Sequence, residues 1–365
     1  MTASEASVLT HHRVRRDPMT GSEVTKITEQ PTMTTNIHTP AKQQTEARVL
    51  ANPDNAFRYR TQPQWFDFYN CRVVLPDQDV FFFVMPYLLS GENVPSEQAG
   101  LYVLDGGNGG PERLMQTGIE RIGREHWSAS TEGCGVRWTR DGEENVFTET
   151  YIRMTSPNAR WDVRIEPFLS DRAEPVTDLR RFDIEEKLIL RRVPFIHRVP
   201  HMKGYASGVI EYAGQRHAFE RGIVYQAKNH GPTLPEHWTW IHANAFAEDE
   251  TLVFEVASNP ARGGTVAMIR IIRPGSHRVL TTWEDAEVHL NRSGDSYTFS
   301  GASADGSLTV SGEATHGESV VFRVPAPGGD QFEIDEDLLG VLSVEINGKT
   351  FTTRHAAVGI AHHLG

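Results

Sequence analysis

Ser296-Tyr-Thr-Phe-Ser-Gly-Ala-Ser-Ala-Asp-Gly-Ser-Leu-Thr-Val-Ser311 reads as two short strands around a tight turn. Within Ser296–Ser300 and Ser307–Ser311 apolar and polar residues alternate, the period that gives a strand one buried and one wet face. Asp305-Gly306 between them supplies residues that tolerate the positive φ of a type I′ hairpin turn. The arrangement returns where Val344-Glu-Ile346 and Thr350-Phe351 flank Asn347-Gly348. It returns again where Ile210-Glu-Tyr212 and His217-Ala-Phe219 flank Ala213-Gly214.

Similar short alternating segments, punctuated by turn residues, run from Phe57 onward. Many short strands with regular turns imply a sandwich or a barrel. No repeat of roughly 20–50 residues, the mark of a propeller, is visible. Helical signals are few; Asp183–Arg192 reads as one short helix or as a linker. The longest apolar run, Val80–Leu89, is half the ~20 residues of a membrane helix and contains Pro86, so it reads as one or two buried strands. The polar stretch Ser170–Glu186 reads as a junction. The expectation is an all-β chain of two antiparallel barrels, residues 48–185 and 186–365. Residues 1–47, rich in Thr, Ser, Glu, Gln and His, are expected to form a disordered tail.

A chain of 365 residues suits two domains of ordinary size. Its 48 acidic residues outnumber 36 Lys and Arg, for a net charge of -12. Nucleic acid and anionic membranes call for clustered basic residues, so neither is the expected partner. The two cysteines, Cys71 and Cys134, can pair only once and read as free thiols of a reducing compartment. The first residues show no apolar signal core. A cytoplasmic location, no membrane insertion and no obligate protein partner are the matching expectations.

Several chemistries lack their motifs. No Gly-x-Gly-x-x-Gly follows a strand, and Gly106–Gly110 lacks the Lys and helix of a phosphate cradle. There is no Gly-x-Ser-x-Gly elbow. His197 and His201 flank Pro200 on no helix. His237 and His242 fall on opposite faces of a strand. Neither a metal nor a cofactor is expected.

The segment from Tyr225 to Asn244 carries the richest chemistry: Tyr225-Gln-Ala-Lys-Asn-His-Gly-Pro-Thr-Leu-Pro-Glu-His-Trp-Thr-Trp-Ile-His-Ala-Asn244. A strand ending at Tyr225 turns through Gly231-Pro232 and resumes, and Trp238, Trp240 and His242 then share one face. That face is either plain barrel core or the wall of an apolar cavity with one polar contact. Lys228 and Asn229 are either surface turn residues or, if they point inward, donors set against greasy walls.

This segment resembles the tocopherol cyclase, carotenoid hydratase and AttH group. That family carries an acidic residue, a variable one and Asn-Trp-Gly, followed by Pro-x-x-Trp-x-Trp and a later Asn. The matching residues are Lys228-Asn229-His230-Gly231, Pro235-Glu-His-Trp238-Thr-Trp240 and Asn244. Upstream, His201-Met-Lys-Gly-Tyr-Ala-Ser-Gly208 matches the lead-in. Gln64-Trp-Phe-Asp-Phe-Tyr-Asn70 is similar to a diverged Glu-Trp-Trp-Tyr start, and Leu339–Ile346 fits the end. The resemblance implies two tandem lipocalin-like barrels. It also implies cofactor-free reactions on long unsaturated molecules: prenyl-quinol cyclisation, carotenoid hydration, or Diels–Alder closure of polyenes.

Two departures bear on mechanism. Ala227 holds the acidic position and His230 that of the Trp. Alkene protonation needs a positioned neutral carboxyl, for which Asp67 or Glu211 is the substitute on offer. A pericyclic closure needs only a folded substrate and polarisation of a conjugated carbonyl. The first expectation is therefore a cyclase of specialised metabolism performing an intramolecular [4+2] closure on a long polyene or polyketide-like substrate. Lys228, Asn229, His230 and Tyr225 are its catalytic candidates. Trp238, Trp240, His242, Asn244, Trp65, Asp67 and Tyr69 are its candidates for holding the substrate. The alternatives are a proton-initiated isoprenoid cyclase or hydratase and a carrier of apolar ligands.

Overall fold

The structure, a computed structural model, describes residues 64–90, 98–106, 119–122, 127–129, 135–156, 159–171, 187–191, 193, 195–212, 214–261, 264–283, 286–317, 320–325 and 331–364. The expected tail over residues 1–47 lies outside them, as does Cys134.

The all-β expectation holds. Strands β1 (Trp65–Leu75), β2 (Val80–Ser90), β3 (Gln98–Gly106), β4 (Ile119–Ile122), β5 (Trp127–Ala129) and β6 (Gly135–Arg140) begin a first antiparallel sheet. Strands β7 (Glu143–Thr148), β8 (Tyr151–Thr155), β9 (Ala159–Leu169), β10 (Ile196–Tyr212) and β11 (Gln215–Gly231) complete it. A second antiparallel sheet holds β12 (His237–Ala243), β13 (Val253–Ala261), β14 (Gly264–Arg273), β15 (Ser276–Thr281) and β16 (Glu287–Ser293). It continues through β17 (Ser296–Ala302), β18 (Thr309–Thr315), β19 (Val320–Pro325), β20 (Gln331–Ile346) and β21 (Lys349–Leu364). One short helical turn occupies residues 187–189.

Both sheets use one closure rule. Neighbours in sequence pair, except that β18 passes over β19 to pair with β20, which takes β19 as well, and the first strand pairs with the last: β1 with β11, β12 with β21. The free ends of each path are then consecutive strands, β4 and β5 in one sheet and β15 and β16 in the other. In the second sheet β16 comes into contact with β14 and β15 across that gap. Each sheet thus curls around its own core. Tyr69, Val84, Trp138, Phe147 and Trp161 anchor the first, and Phe254, Ile269, Tyr297, Phe299 and Val344 the second.

The change of sheet falls between Gly231 and His237, not at Glu186. β10 and β11 lie beyond Glu186, yet both belong to the first sheet, because β11 must return to pair with β1.

The hairpin signals fix register, with one adjustment. Asn347 and Gly348 both take positive φ, 48° and 80°, as type I′ requires. At Asp305-Gly306 only Gly306 does, at 69°. Ala302 still pairs with Thr309, the register a two-residue turn would set. The strands part earlier because Ser303 bonds Asp305 and the Leu308 amide inside the loop.

The run Val80–Leu89 is one strand buried on both faces. Val80, Phe82 and Val84 enter the first core, while Phe81, Phe83, Met85, Tyr87 and Leu89 join Phe66 and Phe68 in a separate apolar layer. That layer also takes Leu234, Phe332, Leu338 and Ala357 from the other side, so it binds the first sheet to the second.

The second core is packed tightly enough to demand a glycine. A Cβ at Gly312 would stand 2.5 Å from both the Ser343 carbonyl oxygen and Phe299 Cζ. Gly312→Ala is expected to cost about 1–3 kcal/mol in urea unfolding, the usual penalty for overpacking. An unchanged midpoint would contradict the close approach of β17, β18 and β20.

Candidate active site between the two sheets

A cavity of about 350 Å³ lies between the outer faces of the two sheets. Strand alternation decides what faces it. On β12, Ile241 and Ala243 enter the second core, so Trp238, Trp240 and His242 turn toward the first sheet, as their spacing predicts. Trp238 and Trp240 line the cavity with Phe68, Phe83 and Met268. His242 stacks behind Trp240, with ring centroids 5.7 Å apart and planes at 10°. The Tyr225 ring lies 5.2 Å from that of Trp240 and 4.1 Å from that of His242.

One polar group in this wall is centred on His197. Its Nδ1 lies 2.7 Å from Asn229 Oδ1, and its Nε2 lies 3.3 Å from the Tyr225 hydroxyl. Asn229 Oδ1 accepts, so Nδ1 donates and Nε2 is left to accept from Tyr225. Glu255 stands 3.6 Å from the same Nε2; it accepts from Trp240 Nε1 at 3.0 Å and pairs with Arg270 at 3.3 Å. Burial opposes ionisation of Glu255, but the Arg270 guanidinium outweighs it and holds the carboxyl well below the usual range. Burial, and next the charge of Glu255, push the Tyr225 hydroxyl well above its ordinary value, so it stays a neutral donor.

A second polar group was not singled out in the sequence. Arg72 of β1 reaches across to the second sheet and donates to the carbonyls of Leu338 and His355, each at 3.4 Å. Glu336 of β20 also lines the cavity. Burial raises its carboxyl to about 7, with Arg72 opposing and Asp337 adding to the rise. Gly359 of β21 stands beside Glu336 in register and beside Trp240 on the other side. A Cβ there would come within 3.1 Å of Glu336 Cγ, so glycine makes the room this acid occupies.

Other sequence candidates fall elsewhere. Lys228 and Asn229 are neighbours within β11, so they point to opposite faces. Asn229 meets the cavity; Lys228 enters the first barrel, with no exposed surface. There its Nζ lies 3.4 Å from Asp67 Oδ1 and 5.5 Å from the centre of the Tyr69 ring. Trp65 Nε1 donates to Asp67 Oδ2 at 3.2 Å, and the Trp65 and His230 rings lie 6.0 Å apart. Trp65, Asp67, Tyr69, Lys228 and His230 thus form a buried group inside the first barrel rather than beside Trp238. Asn244 is a clamp: its amide donates to the carbonyls of Met202 and Val224, both at 3.0 Å. Lys203 in turn donates to the Asn244 and Glu250 carbonyls. His242 Nε2 lies 3.2 Å from the Met202 carbonyl, and burial lowers the ring to about 3. Glu211, offered as a substitute acid, is exposed and paired with Arg216. Among the described residues no group of three or more His, Cys, Asp or Glu is placed to hold a metal ion.

With this geometry in place, the resemblance read from Gly204–Asn244 finds support over a longer span. Residues 190–362 match the tocopherol cyclase-like family. That span contains Tyr225, Asn229, Glu255 and Glu336; Asn70 and Arg72 precede it. No curated protein sequence matches the chain. Among solved structures the chain is similar to CghA with Sch210972, at 10% identity over 83% of this chain and 89% of that one, with a TM-score of 0.58. CghA alone gives 0.56 over the same shares. Kievitone hydratase from Nectria haematococca aligns at 10% identity over 82% and 89%, with a TM-score of 0.46. The likeness to CghA is one of fold.

The buried pair inside the first barrel has a measurable consequence. Lys228→Met leaves Asp67 buried beside a lost cation and is expected to destabilise the chain by about 3–5 kcal/mol. Asp67→Asn combined with Lys228→Met is expected to recover a large part of that loss in chemical denaturation. Full stability of Lys228→Met alone would place the lysine outside the barrel.

Proposed function

We propose that this chain is a cyclase that binds a long, unsaturated apolar substrate between its two sheets and closes a ring in it by intramolecular [4+2] cycloaddition. The supporting observation is the cavity itself, walled by Phe68, Phe83, Trp238 and Trp240 and edged by the Asn229 amide. A pericyclic closure redistributes only the substrate's own electrons and calls for no cofactor. What the protein supplies is confinement: holding a flexible chain folded replaces entropy otherwise lost on the way to the transition state, worth up to about 7–11 kcal/mol in well-oriented cases. A hydrogen bond to a conjugated carbonyl adds polarisation. Asn229 fits that role. Its Oδ1 is engaged by His197, which holds the amide in place and leaves the NH2 group to donate.

A second reading has its own observation. Glu336 keeps its proton up to about pH 7 and faces the cavity, which suits proton-initiated cyclisation or hydration, with Trp238 and Trp240 holding the cation. The two separate cleanly by running the reaction in deuterated water. Protonation places deuterium on a product carbon; cycloaddition does not.

The direct test offers a linear polyene with a conjugated carbonyl and looks for a product of the same mass. Asn229→Ala is expected to slow turnover about 10- to 1000-fold, the range for one electrostatic donor, without lowering the thermal midpoint much. Trp240→Ala is expected to raise KM more than it lowers kcat. Wild-type turnover in Asn229→Ala would remove the amide from the mechanism. Tight binding with no turnover would leave only a carrier.

A further inference from the structure

Tyr225 and Asn229 share a face of β11, and only the methyl group of Ala227 stands between them on that face. His197 lies opposite Asn229 in register on β10, and its ring bridges the two. Nδ1 lies 2.7 Å from Asn229 Oδ1, and Nε2 lies 3.3 Å from the Tyr225 hydroxyl. Glu255 and Arg270, themselves opposite in register on β13 and β14, reach the same Nε2 from the second sheet, the carboxylate at 3.6 Å. One ring nitrogen thus has two partners of opposite hydrogen-bond character. The hydroxyl donates to it when it is bare, and the carboxylate accepts from it when it carries a proton.

We propose that this double partnering makes His197 a positioning residue that presents the Asn229 NH2 group to the cavity in both charge states of the ring. The neutral ring accepts at Nε2 from Tyr225, which leaves its one proton on Nδ1. The charged ring donates from Nε2 to Glu255 and carries a proton on Nδ1 as well. In either state Nδ1–H donates to Asn229 Oδ1, and the amide does not turn over. Without the Tyr225 hydroxyl, the neutral ring places its proton on Nε2, toward Glu255. Nδ1 is then an acceptor, the amide rotates to donate to it, and Oδ1 replaces NH2 at the cavity. This rests on the reading in which that amide polarises a substrate carbonyl, and it adds what fixes the donor.

The charged and titratable groups around the ring come from several elements. They are Arg198 on β10, Tyr225 on β11, His242 on β12, Glu255 on β13, Arg270 on β14 and His277 on β15, with Arg72 of β1 and Asp171 behind them. Burial keeps Tyr225 protonated and lowers His242 to about 3, and it lowers His277 as well. Against burial, Arg270 keeps Glu255 ionised. Burial lowers Arg72 only to about 10, so it stays charged. Asp171 accepts from the Val199 amide at 2.9 Å. The state of Nδ1 therefore stands on Tyr225 and Glu255, the two groups in reach of Nε2.

Long-range proton–nitrogen spectra of the full chain with nitrogen-labelled histidine read the tautomer directly, the His197 signals being those lost in His197→Gln. Neutral His197 is expected as the Nδ1–H form in the wild type. It is expected as the Nε2–H form in Tyr225→Phe, which retains the ring packed on Trp240 and His242. β-Ionone, a conjugated dienone, then reports the amide through its carbonyl stretch. In the wild type the bound stretch should lie below its value in hexane from about pH 5 to about pH 8, the span in which histidines commonly change charge. In Tyr225→Phe that shift should persist where the spectra show a charged ring and be lost where they show a neutral one. An Nε2–H form in the wild type, a wild-type ring that is never neutral over this span, or an Nδ1–H form retained in Tyr225→Phe overturns the proposal. If Tyr225→Phe fails to fold, the wild-type tautomer decides alone. Both expected tautomers with no carbonyl shift in the wild type uphold the positioning by His197 and sink the polarising role of Asn229 instead.

Discussion

β1 pairs with β11 so that Tyr69 stands opposite Lys228 and Arg72 opposite Tyr225. Side chains along a strand alternate, so this one register decides which residues enter the first barrel and which meet the second sheet. Tyr69, Cys71 and Val73 go inward with Val224 and Lys228. Phe68, Asn70 and Arg72 go outward with Tyr225 and Asn229, and these are the ones that line the cavity. A slip of β1 by one residue would reverse its own two sets, bringing Asp67 to the cavity away from Lys228 and turning Arg72 into the first core.

The same surface holds two carboxyl groups in opposite states. Glu255 has Arg270 at 3.3 Å and Trp240 Nε1 at 3.0 Å, and these keep it charged despite complete burial. Glu336 is also buried but has no partner of that quality, and Asp337 beside it disfavours a second charge. The ionised Glu255 accepts from the Trp240 indole and holds it in place, while burial favours the neutral form of Glu336.

Much of the fold is legible in the sequence because hairpins are local. Asn347-Gly348 and the alternation around it set register without help from distant residues. Trp238, Trp240 and His242 share a face for the same local reason. What local sequence does not reveal has long-range causes. Lys228 and Asn229 are adjacent in sequence, but within a strand adjacency puts them on opposite faces. Nothing local near Glu186 reveals that β11 must return to β1. Glu336 lies in Gln331-Phe-Glu-Ile-Asp-Glu-Asp337, a run that reads as a solvated acidic strand. Its burial depends on Gly359 and on Arg72, some 260 positions earlier in the chain. The one legible hint is Gly359 within an otherwise apolar strand, which marks a close approach.

Small lipocalin barrels hold ligands inside the barrel, whereas here, among the described residues, Trp138, Trp161 and Phe147 pack the first interior and a cavity lies between the sheets. The most direct test is photo-crosslinking with a long polyene acid that carries a diazirine near its apolar end, followed by peptide mapping. Label on peptides containing Trp238, Trp240 or Met268 is the expected result. Label on those containing Trp138, Phe147 or Trp161 would put the ligand inside the first barrel and contradict the account.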